Sequence, residues 1–514
     1  MTIQMAFVLI SVILMIIVLI QNKVRQGLVL FSTAALLFVG DLITAEELLS
    51  GFSNRGVFTI ALLFLISEGV KRTNALNNMI KPIFPIKSSG IRRLQLRLLP
   101  SVALFSTMLN NTPVVIIIAP IIKSWARKLK VPASKFLIPL SYATILGGMC
   151  SLIGSSTNLV VHGMMLNSGY EGFTMYELGK VGIFITIAGL IYLLLFSKYL
   201  LPNRDNISSI DDLDNPNTIQ AIISARFPGI NMRVGEFDFK RQFGTNVCAI
   251  KRNGGLIEGD KLARVKYHEN DVLIIERDDS FFKAWGNSSF FVMLVDGEEY
   301  EAPSKKKKWL AIILLIFMCS GAVIGEHPVV REKFPDLRFD MFFFALITTI
   351  IMAWTQLFPA KRYTKFISWD LLITIASAFA ISKAMQNSGI TDLIAAKIIL
   401  LTGEGGYGPH ALLAALFIVT NLFTELITNN AAAALTFPIA VSIAVQLGVS
   451  PIPFFVIICI AASASFSTPI GYQTNLIVQG IGNYKYTDFL RVGLPLNIIT
   501  FILSVILIPL IWSF

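Results

Sequence analysis

Two segments of the sequence, LNNTPVVIIIAPI at 109–121 and ITNNAAAALTFPI at 427–439, each place an Asn-Asn pair before an apolar run that contains a proline. Further along the chain, LIGSSTNLVVHG at 152–163 matches PIGYQTNLIVQG at 469–480. The offsets between the matched segments are 318 and 317 residues. Paired motifs in the same order at a nearly constant offset indicate an internal repeat rather than convergent apolar composition.

The repeat lies in a chain with the composition of a membrane protein. Of its 514 residues, 54% are hydrophobic and 15% are charged, whereas soluble domains carry about 25% charged residues. The first apolar span follows no basic residue and precedes no small-residue cleavage site, so we expect a retained helix rather than a signal peptide. The candidate spans are 3–20, 27–43, 56–70, 98–122, 136–165, 180–201, 309–325, 340–358, 369–387, 411–446, 453–482 and 492–513.

Basic residues give the orientation of the two halves. The connector after the first Asn-Asn segment carries Lys123, Arg127, Lys128, Lys130 and Lys135, whereas its counterpart at 446–452 carries no charge. Because short basic loops lie in the cytoplasm, equivalent connectors are predicted on opposite sides of the membrane, which is typical of an inverted repeat. This orientation places both termini outside the cytoplasm and residues 202–308 inside it. The net charge of +11 is therefore assigned to loops near lipid headgroups, not to nucleic-acid binding.

The predicted fold class is an all-α polytopic membrane protein with a small α/β insert in the cytoplasm. Each repeat, at 1–201 and 309–514, is expected to contain five spans and one re-entrant hairpin. Residues 206–300 are expected to form a separate soluble domain, because short alternating apolar runs are separated there by turn signals. We expect the protein in the plasma (inner) membrane.

The hairpin tips are predicted to carry the function. Polar residues and prolines in mid-span leave backbone groups unpaired, and lipid cannot satisfy them. At a broken hairpin, free carbonyls and amide oxygens suit Na⁺, and the next helix N-terminus attracts an anion. The tips are Asn110-Asn111-Thr112 and Thr428-Asn429-Asn430, and the facing loops are 154–158 and 471–475. None of them contains Lys or Arg, so an anion there is expected to depend on cations bound with it.

Other chemistry finds little support in the sequence. Four scattered cysteines and four histidines form no metal-binding spacing, and no Ser/His/Asp grouping or phosphate loop is present, so an enzyme is not expected. Glu425 precedes the second tip, where it is either a functional intramembrane carboxylate or an anchor for the hairpin through backbone N–H groups.

These motifs resemble the divalent anion/sodium symporter family, which carries Ser-Asn-Thr on each hairpin and glycine-containing loops facing them. The resemblance implies a homodimer that works as an elevator, with Na⁺ as the coupling ion and a small inorganic or organic divalent anion as substrate. The implied Na⁺ ligands are Ser106, Asn110, Asn111 and Gly154 in the first half and Thr424, Thr428, Asn429 and Gly471 in the second. The implied anion-binding residues are Asn111, Thr112, Thr157, Asn429, Asn430 and Thr474.

The chain departs from the family motif at three positions. Asn110 and Thr428 stand where the family has Ser, and Asn430 stands where it has the second Thr. These changes put the family's dicarboxylate specificity in question and leave Na⁺ coordination by amide oxygens intact.

The insert resembles a TrkA C-terminal (RCK_C) regulatory domain, through the run FGTNVCAIKRNG at 243–254 and NDVLI at 270–274. Symporters of this family with such inserts are generally associated with sulfate uptake. Domains of this kind often dimerise and bind small regulatory nucleotides.

The leading hypothesis is therefore a sodium-coupled symporter that imports a small divalent oxyanion, with sulfate favoured. The alternatives are a sodium/dicarboxylate symporter, a sodium/proton or arsenite-type antiporter, and a nutrient-sensing receptor that does not transport. An antiporter requires a titratable pair at mid-membrane, and only Glu425 fits that requirement. A receptor, unlike a transporter, need not move substrate across a vesicle membrane.

Overall fold

Most of the chain is helical. In sequence order, one half of the helices precedes a small antiparallel sheet and a similar half follows it. The computed structural model describes residues 2–21, 24–73, 84, 90–129, 131–203, 218–224, 227–252, 255–269, 271–276, 278, 281, 285, 290–295, 304–333, 339–403 and 408–514. The helices of the first half are α1 (Ile3–Gln21), α2 (Gln26–Val39), α3 (Ala45–Ser50), α4 (Arg55–Arg72), α5 (Ile91–Met108), α6 (Asn111–Lys128), α7 (Leu137–Gly148), α8 (Ser156–Asn167) and α9 (Gly179–Leu200).

The second half repeats this order after the insert. Its helices are α11 (Lys305–Gly325), α12 (Pro328–Lys333), α13 (Met341–Trp354), α14 (Trp369–Asn387), α15 (Ile390–Gly403), α16 (Gly408–Leu426), α17 (Asn429–Leu447), α18 (Ile452–Ser463), α19 (Gln473–Gly482) and α20 (Tyr486–Ile511). The helix pair α5/α6 corresponds to α16/α17, and the pair α7/α8 corresponds to α18/α19.

Repeat-related helices make repeat-related packing contacts. Helix α2 packs on α14, and the related α13 packs on α4. Helix α5 packs on α7 as α16 packs on α18, and α6 packs on α19 as α17 packs on α8. The last helices of the two halves, α9 and α20, pack on each other. The two halves are thus interlocked around the broken hairpins, which confirms the predicted inverted-repeat fold class.

The structure refines several predicted spans. The segments 98–122, 136–165, 411–446 and 453–482 are each two helices separated by a break. Helix α15 is an apolar element that the sequence analysis did not list. Among the described residues, seven helical segments are long and apolar enough to cross a membrane, so the chain is a multi-pass membrane protein.

The insert contains a five-stranded antiparallel sheet with the strand order β3-β2-β4-β1-β5. Its elements are β1 (Thr218–Ile223), α10 (Phe239–Phe243), β2 (Val247–Arg252), β3 (Gly255–Glu258), β4 (Val272–Glu276) and β5 (Phe291–Val295). One face of the sheet covers a core of its own that is rich in aromatic rings, including Phe227, Phe243 and Tyr267. Of the RCK_C-like runs, Asn253, Gly254 and Asn270 lie outside the described residues, as do the predicted domain ends at 206 and 300.

The other face of the sheet rests on the membrane helices. Ile222 of β1 and Val272 of β4 are neighbours in register, and both are buried in the apolar core that the membrane helices share. Beside them, the Lys123 ammonium on α6 donates a 2.8 Å hydrogen bond to Oε1 of Gln220 on β1. The insert therefore contacts the arm of the first hairpin directly.

Close backbone contact between α5 and α7 predicts a position that tolerates no side chain. A Cβ added to Gly147 would lie 2.8 Å from the Ala103 Cα, whereas one added to Gly90 would meet nothing within 4 Å. We expect Gly147→Ala to lower the free energy of unfolding by about 1–3 kcal/mol through overpacking, seen as a lower Tm in detergent. The matched Gly90→Ala should leave the Tm unchanged, and an equal shift in both variants would contradict the proposed contact.

Candidate functional site between the two broken hairpins

Each hairpin breaks at the residues that the sequence analysis singled out. Helix α5 ends at Met108 and α6 begins at Asn111, with Leu109 extended at φ −135° and ψ 147°. The Oδ1 of Asn110 accepts a 3.4 Å hydrogen bond from the Thr112 backbone N–H, the interaction expected of an N-cap. In the second hairpin, Thr428 is the extended N-cap of α17 at φ −87° and ψ 153°. Both tips therefore present the N-terminus of a helix at the point where the two helices of the hairpin are separated.

The first tip is surrounded by neutral oxygen and nitrogen atoms. The Oγ of Ser106 lies 2.5 Å from the side-chain amide of Asn111. That amide is satisfied when its nitrogen donates to the carbonyls of Thr144 at 2.7 Å and Gly154 at 3.2 Å. Its oxygen then accepts a 2.5 Å hydrogen bond from the Tyr472 hydroxyl. Asn111 is fully buried, so its amide exchanges hydrogen bonds with these neighbours rather than with bulk water.

The second tip repeats the arrangement with the equivalent residues. The Oγ1 of Thr424 lies 2.8 Å from the Asn429 Oδ1 and 2.6 Å from the Ala462 carbonyl oxygen. The Thr468 hydroxyl donates to the Glu425 carbonyl at 3.2 Å, as Ser151 donates to the Thr107 carbonyl at 2.6 Å in the first half. The internal repeat thus extends from sequence to individual hydrogen bonds.

One asparagine in each facing loop binds the chain at the end of the helix that precedes the loop. Asn158 donates to the carbonyls of Gly148 at 3.2 Å and Ser151 at 2.8 Å. Its counterpart Asn475 donates to those of Ser465 at 2.9 Å and Thr468 at 3.1 Å. These bonds satisfy carbonyls that the helix breaks would otherwise leave unpaired.

The glycines of the facing loops permit the close approach that the sequence analysis expected. A Cβ on Gly154 would lie 2.7 Å from the Ser106 carbonyl oxygen, and one on Gly471 would lie 2.6 Å from that of Thr424. Only glycine allows each loop backbone to reach the end of the first hairpin helix.

The two halves meet at the tips. The Thr112 hydroxyl donates a 3.4 Å hydrogen bond to Oε1 of Gln473, across from the first tip to the second loop. In the mirror-related contact, the Ser156 hydroxyl donates a 3.2 Å hydrogen bond to Oδ1 of Asn430. Thr112 and Ser156 are partly exposed and Gln473 is exposed. These side chains line the accessible part of the site.

The predicted site residues occupy different depths. Asn110, Thr112 and Thr428 are partly exposed at the tips. The others are buried: Ser106, Asn111, Gly154, Thr157, Thr424, Asn429, Asn430, Gly471 and Thr474. The Thr474 hydroxyl accepts a 2.9 Å hydrogen bond from Ser141, whereas the Thr157 hydroxyl has no hydrogen-bond partner within the described part of the chain.

Several residues of the site were missed by the sequence analysis. Tyr472, Gln473 and Ser156 contact the opposite tip, and Asn158 and Asn475 hold the loops. The repeated Thr-Asn at 157–158 and 474–475 was the available signal for the two asparagines. Tyr472 gave no such signal, because its counterpart in the first repeat is Ser155.

Comparison with known proteins assigns the fold and site to a transporter family. The citrate transporter family (CitMHS) matches residues 13–333 and 329–514. The chain belongs to this family. The transporter is 30% identical to an uncharacterized transporter of Synechocystis over 93% of this chain and 92% of the relative. This family is related to the divalent anion/sodium symporters that the motifs resemble, so the resemblance is confirmed at this coarser level.

More distant relatives have more informative names. The transporter is 22% identical to sodium/sulfate cotransporter 1 of Chlamydomonas reinhardtii, over 90% of this chain and 84% of the relative. It is 20% identical to a sodium-dependent dicarboxylate transporter of Staphylococcus saprophyticus, over 92% of this chain and 79% of the relative. The crystal structure of the Alcanivorax borkumensis YdaH transporter has the same fold, with a TM-score of 0.51 at 13% identity, over 94% of this chain and 96% of that one.

The groups of the transporter that surround the tips and could bind an ion are neutral. No Lys or Arg occurs in the tips or facing loops, and no group of three His, Cys, Asp or Glu residues among those described could hold a metal ion. Carbonyl, hydroxyl and amide oxygens suit a hard monovalent cation that is bound and released, rather than a tightly held transition metal.

Glu425 is engaged in holding the second hairpin. Its Oε1 accepts hydrogen bonds from the Ser467 backbone N–H and from the Asn497 amide, both at 2.8 Å. The carboxylate therefore connects α16 to the second loop and to α20. This is the anchoring alternative that the sequence left open.

Replacing Glu425 should separate anchoring from ion coupling. Glu425→Leu leaves the Ser467 N–H without this acceptor and removes one of the two hydrogen bonds that the Asn497 amide nitrogen donates. The loss should cost about 1–3 kcal/mol of unfolding free energy for each buried group. Glu425→Gln keeps an acceptor and should have a Tm close to that of the native protein. Thr107→Leu, at the repeat-related position, is the matched control, and thermal unfolding in detergent is the measurement. Loss of cation-driven uptake in a stable Glu425→Gln variant would contradict a purely structural role.

Proposed function

We propose that this protein is a sodium-coupled symporter that imports a small divalent oxyanion, with sulfate as the favoured substrate. The observation that carries the proposal is the mirrored pair of hairpin breaks, each with a buried Asn amide beside a hydroxyl and a backbone carbonyl. The two tips touch opposite facing loops, so an anion between them would meet groups from both halves.

The neutrality of the site explains why uptake would need Na⁺. Helix N-termini and hydroxyls attract an anion only weakly compared with Arg or Lys. A Na⁺ in the first half would be bound by Ser106, the Gly154 backbone and the Asn111 amide rotated so that its oxygen faces them, and one in the second half by Thr424, Asn429 and the Gly471 backbone. Each Na⁺ adds a positive charge beside the anion. By linkage, the anion then raises the affinity for Na⁺ by the same factor.

The choice of sulfate rests on a named relative and on the motif changes. One relative is a sodium/sulfate cotransporter, and Asn430 stands where symporters of this kind have Thr. A sodium/dicarboxylate symporter is the second candidate, favoured by a relative named as a sodium-dependent dicarboxylate transporter and by the carboxylate anion in the family name. Competition between the two anions distinguishes the candidates.

Two other functions find less support. A sodium/proton or arsenite-type antiporter needs a titratable group free to exchange protons, whereas the Glu425 carboxylate is engaged by Ser467 and Asn497. A receptor that does not transport would bind the anion without accumulating it in vesicles.

The proposal includes the organisation of the whole chain. The repeats at 1–201 and 309–514 would form a homodimer in the plasma (inner) membrane and work as an elevator, with both termini extracytoplasmic. Residues 206–300 would form a cytoplasmic RCK_C-like domain that takes a small regulatory nucleotide and acts on α6 through the contact of Lys123 with Gln220.

Asn111→Ala and Asn429→Ala should each abolish Na⁺-dependent anion uptake without unfolding the protein. Each change removes an amide from one tip and leaves the other intact. Asn167→Ala is the matched control, because Asn167 is an exposed amide at the end of α8. The measurement is uptake of labelled sulfate into proteoliposomes, with and without a Na⁺ gradient. Normal coupled uptake by both tip variants would refute the assignment of the site.

The substrate is identified by counterflow. Vesicles loaded with unlabelled sulfate, succinate or phosphate are given the same anion in labelled form outside, with and without Na⁺. We expect sulfate-driven exchange that depends on Na⁺. Exchange driven by succinate alone would replace the sulfate proposal with the dicarboxylate alternative.

Deleting residues 206–300 should change regulation or assembly and leave the ion site able to bind Na⁺. Lys123→Met is the finer variant, because it removes the ammonium that donates to Gln220 and leaves the insert in place. Na⁺ protection against thermal unfolding measures binding in both variants. If the folded deletion protein loses that protection, the modular description is wrong.

A further inference from the structure

The N-caps of the two facing loops differ in a way that the repeat does not explain. Ser155 caps α8, and its hydroxyl accepts a 3.3 Å hydrogen bond from the Thr157 N–H. Tyr472, at the equivalent position, makes no side-chain cap for α19. Serine is among the best N-cap residues, and a phenol cannot replace its short hydroxyl. The tyrosine must therefore contribute elsewhere.

The phenol of Tyr472 reaches the centre of the site. Its hydroxyl bonds the Asn111 amide at 2.5 Å and lies 3.4 Å from the Ser155 hydroxyl. Tyr472 and Ser155 are repeat-related, and a contact between repeat-related residues lies at the pseudo-twofold axis. The side chain is 7% exposed, so it is packed firmly in this position.

The next residue continues the asymmetry. Gln473 reaches across to the Thr112 hydroxyl at 3.4 Å, while the equivalent Ser156 contacts Asn430 at 3.2 Å. The second loop thus places a tyrosine and a glutamine where the first loop has two serines. Both large side chains occupy space between the tips, on the side of the first hairpin.

We infer that Tyr472 and Gln473 set the substrate specificity of the site by restricting it to a compact tetrahedral oxyanion. The phenol fills the axis between the tips and engages the Asn111 amide, so the anion is left to Thr112, Ser156, Gln473 and the helix N-termini. An extended dicarboxylate needs room along the axis between the tips for two separated carboxylates. This inference rests on the proposed anion symport and adds the residues that select the anion.

The test replaces the second loop's pair with the first loop's residues. Wild type, Tyr472→Ser, Gln473→Ser and the double variant are reconstituted as full chains in proteoliposomes. Labelled sulfate uptake is driven by a Na⁺ gradient and is competed with unlabelled succinate. In the wild type, excess succinate should leave sulfate uptake unchanged. In the double variant, we expect the ratio of succinate to sulfate affinity to rise by about 10-fold or more, the usual effect of reshaping a pocket.

Tyr472→Phe separates size from hydrogen bonding. It keeps the ring and should keep exclusion of succinate, while Tyr472→Ser should lose it. Gln473 is exposed, so Gln473→Ser should fold and show a smaller shift in the same direction, even if the tyrosine variants do not fold.

The outcomes are distinct. An unchanged succinate-to-sulfate ratio in active Gln473→Ser and double variants would overturn the inference and leave sodium-coupled sulfate uptake standing. Wild-type preference for succinate would overturn it as well. A wild type that takes up neither anion with Na⁺ would overturn the proposed function itself, and with it the selectivity that these residues are inferred to set.

Discussion

The structure depends on the cost of an unpaired backbone group in lipid. Each hairpin and each facing loop interrupts its helices, and each interruption leaves backbone carbonyl and N–H groups that lipid cannot satisfy. The buried asparagines Asn158 and Asn475 donate to carbonyls at the breaks before α8 and α19, and Ser151 and Thr468 bridge each loop to its hairpin. What holds the breaks open is therefore the same set of neutral polar groups that an ion would meet. The same residues therefore stabilise the breaks and line the proposed site. Neutral donors and acceptors satisfy the backbone groups there, and the motifs carry no fixed positive charge.

Much of this arrangement could be predicted from the sequence, because N-capping and close backbone approach both depend on local residue types. Asn110 and Thr428 are good N-cap residues, and Gly154 and Gly471 are needed for close approach, so the breaks and the facing loops were placed correctly. The contact of Tyr472 with Asn111 joins residues in different halves of the chain, and no local pattern encodes it. The docking of Ile222 and Val272 on the membrane core was equally hidden, since an apolar residue on a strand does not reveal which partner will cover it. The role of Glu425 became definite only when Ser467 and Asn497 were seen beside it.

The two repeats keep the same contacts and satisfy them by different means. The Ser141 hydroxyl bonds both Thr474 and Asn475 in the second half. The residue equivalent to Ser141 in the second half is Ile458, and the side-chain oxygens of Thr157 and Asn158 in the first loop have no hydrogen-bond partner among the described residues. Where α5 meets α7 through the backbones of Ala103 and Gly147, the related Asn421 donates to the Ala464 carbonyl at 2.7 Å. Sequence duplication fixed the architecture, and later divergence made the two binding loops unequal.

Helix α6 carries Asn111 at its first residue and Lys123 near its other end, where the insert rests. The stretch between these two residues is about 18 Å long, and Pro120 lies within it near the insert. A tilt of about 6° at the insert would displace Asn111 by about 2 Å, more than the tolerance of a hydrogen bond. A small rearrangement of the sheet would therefore move the end of α6 that faces the proposed ion site.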